Sequence, residues 1–178
     1  MAEESLSLQS AFTQAESKRA YLDHFSSSSA PDYQAALAST IGAYTQCRHI
    51  VDQLSLFSPN ESLEDIASNE LQYLLLDYYL ADLTLKRTSE ISARKGILDE
   101  ARTFYERFLG SLDSYDILSK DDTALWEQYR ESRDTFSIVM ASDAAVRRDK
   151  KITRFKVERD LKRKLEVRVV HFHFGRVD

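Results

Sequence analysis

Only six of the 178 residues are glycine or proline, four Gly and two Pro. Average usage would place roughly 12% of a chain in that pair, and here the share is about a quarter of that. A sheet protein of this length needs many turns marked by those residues, so a β-sandwich or barrel is excluded. Hydrophobic residues at 43% and charged residues at 30% exclude a disordered polymer as well. The length suits one domain with a substantial core. No run of 18 apolar residues exists, and MAEESLSLQS lacks both the basic and the apolar region of a secretory signal. A lone Cys47 has no internal disulfide partner, which suits a reducing cytoplasmic or nuclear compartment.

Helical periodicity dominates the first two thirds. Leu8, Phe12, Ala15, Arg19 and Leu22 mark one face of a first helix, which the serines Ser26 to Ser29 and Pro31 terminate. A second helix starts near Pro31 with the stripe Tyr33, Leu37, Ile41, Tyr44, Arg48 and Val51. Pro59 predicts its end by about Ser55. Ser62 to Asp65 reads as a helix start with acids in the first turn. Residues 69–87 are apolar nearly all round, which predicts a central helix packed on several sides. Thr88 or Ser89 is the expected cap of the next helix, with Ile91, Leu98, Ala101, Tyr105, Phe108 and Leu112 as its buried face. A polar connection over Asp113 to Asp122 leads to a fifth helix with Leu125, Tyr129, Ser132, Phe136 and Val139 in its stripe and Trp126 at its flank. A last helix is expected from about Ser142 to Glu166. The expectation is an all-α fold of about six helices, antiparallel pairs joined by short loops in a bundle or short α-solenoid. It covers residues 1–166. Residues 167–178 alternate and are β-branched, which suits an extended tail or the point where a longer domain is cut.

Chemistry is scarce along this pattern. The four glycines are scattered, so no phosphate-cradling loop forms. Cys47 on a helix face reads as a buried thiol rather than a nucleophile. His171 and His173 lack further ligands at useful spacing, so no metal site and no cofactor is expected. Paired acids such as Glu64-Asp65 and Asp121-Asp122 sit at helix starts, where dipole compensation accounts for them. The expectation is a protein that is not an enzyme.

The charge distribution is more informative than the net −5. Residues 1–145 carry a net −12, whereas residues 146–168 hold 11 Lys/Arg against 4 acids, a net +7. Such asymmetry points to an interaction surface. On that segment Arg148 and Lys151 are helical neighbours, Ile152 and Phe155 continue the same side, and Arg147, Lys150 and Arg154 fan out beside them. Guanidinium, ammonium and an aromatic together suit docking to an acidic protein face. The residues alone favour the plainer reading, a solvated helix offsetting the acidic body, and also allow contact with RNA or another polyanion.

Two stretches carry a resemblance. Residues 54–76, LSLFSPNESLEDIASNELQYLLL, resemble a long and specific segment of the two-A-phosphatase-associated, or alpha-four, family. Met140-Ala-Ser142 followed by Arg148-x-x-Lys151-Ile-x-Arg154-Phe155-Lys156 resembles the basic helix of that family. The resemblance implies tetratricopeptide-like helix pairs and a non-enzymatic partner of the catalytic subunits of type 2A and related Ser/Thr phosphatases. By the same resemblance, members hold the catalytic subunit latent and act downstream of target-of-rapamycin signalling. The contacts carried over are Arg148 and Lys151, with Arg147, Arg154 and Phe155 beside them. The Phe57 loop matches strongly too, which a packing role would explain equally well. Nothing is carried over for the family's long polar tail. The segment 36–54, where the mammalian member is proposed to bind ubiquitin, lacks the acidic cluster such binding would need. No membrane and no nucleic acid is implied, and a monomer is expected in isolation.

Overall fold

The computed structural model describes residues 7–58, 60–137, 148–149, 151–153 and 155–164, and all its regular elements there are helical. They are α1 (Leu8–Tyr21), α2 (Pro31–Gln53), α3 (Leu76–Leu85), α4 (Ile91–Ser114) and α5 (Lys120–Glu131), joined by short 3-10 turns, with further helix in the described part of 148–164. Two compact units divide the chain, residues 1–126 and 127–178. The expected tail over 167–178 lies outside the described residues.

In the first unit α1 to α4 each pack on the next and run antiparallel to it. Phe12 meets Tyr44, Lys18 Nζ donates to Ser39 Oγ at 2.7 Å, and Phe25 meets Tyr33, so α2 descends as α1 ascends. Pairings of Arg48 with Asp77 and Gln34 with Lys86 give the same sense for α2 and α3. Asp77 with Arg107 and Leu85 with Arg94 repeat it for α3 and α4. The core between them holds Ala15, Leu37, Tyr44, Cys47, Leu76, Leu80 and Leu83, all essentially inaccessible.

Helix ends are made almost without glycine. At the end of α2, Ser55 takes a left-handed φ of 49°, while Leu56 N–H donates to Val51 and Ser55 N–H to Asp52. At the end of α4, Asp116 at φ 54° closes the same motif with Ile117 donating to Leu112. Both are Schellman caps with a non-glycine residue in the left-handed position, where glycine is usual. The second helix therefore stops before Pro59 acts on it.

Four expectations change. The single helix over 69–87 is a 3-10 turn, Leu71–Leu75, followed by α3. Three residues per turn place i and i+3 in line. Leu71 and Leu74 consequently face a small cluster with Ile66 and Tyr115, whereas Tyr73 and Leu76 face the main core. The start at Ser62 is real, with a reciprocal Ser62–Asp65 capping box, but it opens only the turn Leu63–Asp65. The Ser62 N–H and hydroxyl both donate to the Asp65 carboxylate and lower its pKa. In α4 the buried face is shifted: Ala101 is buried as expected and Tyr105 and Phe108 meet the Tyr78 ring, but Ile97 is buried and Phe104 packs on the main core, while Ile91 and Leu98 are 94% and 46% exposed. Apolar residues cover a wide arc of α4, and only its contact with α3 selects the buried side. Neither Thr88 nor Ser89 caps it, since Glu90 occupies the N-cap and the Thr88 N–H donates to Gln34 Oε1 at 3.0 Å.

The fifth helix begins inside the expected polar connection. Ser119 Oγ accepts from the Asp122 N–H, and α5 ends at Glu131, short of Phe136. Trp126 is buried rather than flanking. In the second unit Phe136 meets Tyr129 edge to face at 5.5 Å, and Val139 lies outside the described residues. The family-like loop has a packing role: Phe57 lies against Tyr115, whose hydroxyl donates to the Ser58 carbonyl at 3.2 Å.

Leu80→Ala should cost about 2–5 kcal/mol, since the side chain is fully enclosed. Leu75→Ala should cost much less, because Leu75 is 36% exposed. Urea unfolding midpoints of the two variants check this ordering.

Stability should also fall with alkali. Burial pushes the Cys47 thiol up to about 11 and also raises Tyr44 and Tyr79, with nearby Glu16 adding to both tyrosines. Free Cys and Tyr titrate near ~8.5 and ~10, so above that the unfolded chain sheds protons that the folded one keeps. The stabilisation is complete below about pH 8.5 and is lost as pH rises through the folded values. Thermal melts from pH 8 to about 11 should show a falling midpoint.

Candidate functional site

The described part of 148–164 is helical, and its sequence leaves it a strongly basic surface. At 100° per residue, Arg148, Lys151, Ile152, Phe155, Arg159 and Lys162 fall on one stripe. Arg148 and Lys151 are exposed, Ile152 is 43% exposed and Phe155 64% exposed. Lys162 is drawn to Glu158 at 2.7 Å, and Arg163 lies 3.7 Å from Asp160. Among the described residues no ion pair holds Arg148 or Lys151. Arg148, Lys151 and Phe155 thus share a face open to a partner, while Arg147 and Arg154 lie outside the described residues. Such a surface offers charge-assisted hydrogen bonds around an aromatic anchor.

Elsewhere the first unit holds two polar clusters, around Arg19 and Arg48, two residues that helical spacing places within the apolar stripes of α1 and α2. Arg19 forms a 2.7 Å ion pair with Glu16, donates to the Tyr44 hydroxyl at 3.0 Å and lies 4.6 Å from the centre of the Tyr79 ring. Tyr44 in turn donates to Glu16. Hydrogen bonding to Glu16 outweighs burial and raises the Arg19 pKa, keeping it charged. The second cluster centres on Asp77, whose side chain is 3% exposed. Arg48 Nη1 reaches one carboxylate oxygen at 2.5 Å and Arg107 Nη2 the other at 2.6 Å. Arg48 also pairs with Asp52 at 3.2 Å. Asp77 therefore ties α2, α3 and α4 together. A cation inside an apolar stripe was the only sequence signal for either cluster, and it named no partner.

Cys47 is fully buried, and among the described residues no group of three His, Cys, Asp or Glu is placed to hold a metal ion. His171 and His173 lie outside them. No helix among the described residues is long and apolar enough to cross a membrane.

Comparison with known proteins places both family-like stretches in one match. The model of the TAP42-like family matches residues 8–170, from the start of α1 past the basic helix. The chain belongs to the TAP42-like family. Among TAP42-like relatives, the rice (Oryza sativa subsp. japonica) PP2A regulatory subunit TAP46 is 29% identical over 148 residues, 83% of this chain and 32% of that protein. The type 2A phosphatase-associated protein 42 of Saccharomyces cerevisiae is 27% identical over 155 residues, 76% of this chain and 42% of that protein. A solved structure described as the Tap42 alpha4 subunit superposes with a TM-score of 0.71 at 23% identity, covering 97% of this chain and 81% of that one. That likeness shows the TAP42-like helical fold. The chain spans about a third of the length of the relatives it matches first.

Proposed function

We propose that this chain is a non-enzymatic regulatory protein that binds the catalytic subunit of type 2A and related protein phosphatases through its basic helix, with Arg148 and Lys151 as the leading contacts. The exposed Arg148–Lys151–Phe155 face carries this reading, since the family match spans it and its relatives are named as phosphatase regulators. Arg147 and Arg154 belong to the same basic segment and would extend the contact. Pairing with acidic groups on the phosphatase gives fast, salt-sensitive association, and Phe155 supplies apolar area at the centre. Bound in this way, the catalytic subunit is held latent, and the pair acts downstream of target-of-rapamycin signalling, as membership of the family implies.

Co-purification with a type 2A catalytic subunit, followed by a phosphatase assay, tests the reading. Retention with suppressed activity is the expected result. Failure to retain the subunit overturns it. A gel shift with unrelated RNAs that is blind to sequence and collapses with salt would instead assign the helix to polyanions.

A further inference from the structure

The Asp77 cluster does more than tie three helices, because its two arginines line an open groove. The groove, about 510 Å³, is bounded by Thr45, Arg48, His49, Asp52 and Gln53 from α2, Leu80 from α3, and Phe104 and Arg107 from α4. Asp77 does not line it. The lining therefore contains two guanidinium groups against the single carboxylate of Asp52, and the second counter-charge lies buried beneath them. Asp77 holds both guanidiniums from below; within the lining Asp52 also pairs with Arg48, and the Phe104 ring lies 5.0 Å from Arg107. Asp77 takes one of the five N–H donors of Arg107, and the side chain is 44% exposed. Fixing a cation in advance removes most of the ordering cost of binding an anion. The half-buried Phe104 ring gives the groove an apolar wall, and the buried Leu80 closes its floor.

We propose that this groove binds an extended acidic peptide segment. A side-chain carboxylate would bridge Arg107 and Arg48, and a neighbouring apolar side chain would rest on the Phe104 ring. The match is of charge and shape: paired donors spaced by one carboxylate, beside an apolar surface, with Thr45, His49 and Gln53 at the rim to meet peptide backbone. This site is separate from the basic helix and does not rest on the phosphatase reading. An acidic protein segment is thereby recognised in a region of the chain whose overall charge is negative, so specificity comes from the local pair of arginines and not from the general field.

The test is fluorescence anisotropy of the whole chain with a labelled, acetylated and amidated LEELEEL peptide, and with LQQLQQL as its neutral counterpart. Saturable micromolar binding of the acidic peptide, weakening with salt, is expected, with little binding of the neutral one. Arg107→Ala should weaken binding roughly ten- to hundredfold, the range for losing a charge-assisted hydrogen bond. Gln53→Glu, at an exposed rim position away from the Asp77 cluster, should also weaken it while leaving the thermal midpoint unchanged. Arg148→Glu with Lys151→Glu should leave peptide binding intact. The proposal is overturned if the wild-type chain does not bind the acidic peptide, if the neutral peptide binds equally, or if Gln53→Glu has no effect. Loss of binding in the Arg148/Lys151 variant overturns it too, because the peptide would then sit on the basic helix.

Discussion

Reversing both leading charges of the basic helix, Arg148→Glu with Lys151→Glu, is expected to abolish capture of a type 2A catalytic subunit while leaving the fold unchanged. Each residue is exposed, and among the described residues neither is held by an ion pair, so neither supports helix packing. Glu is nearly as good a helix former as Arg or Lys, and helicity should survive. Each reversal at a desolvated contact should cost on the order of 2–5 kcal/mol of binding, because a cation facing an acidic group becomes a repelling anion. Two together move even a nanomolar complex beyond ordinary pull-down. Far-UV circular dichroism and the thermal midpoint should match those of the wild type. Retention of the catalytic subunit by the double variant would show that the contact lies elsewhere on the chain.

The largest expected effect on the fold comes from leaving Asp77 without its cations. Arg48→Met with Arg107→Met strands a carboxylate whose side chain is 3% exposed. Stranding a buried charge costs about 3–5 kcal/mol. Either single substitution leaves one guanidinium in place, so the double variant should lose more than the sum of the singles, a coupling that urea unfolding midpoints would reveal. Replacing Asp77 by Leu in the double variant should recover most of the loss, since an apolar trio needs no charge compensation. If the double variant were as stable as the wild type, Asp77 would not depend on the pair.

Much of the fold is legible from spacing alone. The stripe of Leu37, Tyr44 and Val51 marks the buried side of α2 because a 3.6-residue period puts those side chains on one face. The end of α2 near Ser55 was legible from Pro59, but the left-handed caps at Ser55 and Asp116 were not, because that conformation follows from the cap hydrogen bonds rather than from a glycine. The buried side of α4 was only partly legible, for a different reason. Ile91 and Leu98 lie at one edge of a wide apolar arc and Ile97 and Phe104 at the other, with Ala101 and Phe108 between them, and an isolated helix has no preference between the edges. Arg148, Lys151 and Phe155 stand out as candidates because charge is concentrated on one short segment. The groove was not, because Arg48, Leu80 and Arg107 come from three helices far apart in the chain.

The scarcity of glycine and proline, with helical periodicity, determined by itself that this protein is built of helices. The long matching segments determined its family. Both are properties of neighbouring residues, which a linear chain displays directly. Tertiary structure alone decided which arc of α4 is buried, that Asp77 gathers Arg48 and Arg107, and that these arginines edge an apolar groove. Those outcomes depend on contacts between distant segments, where burial and charge compensation are settled only when three helices meet.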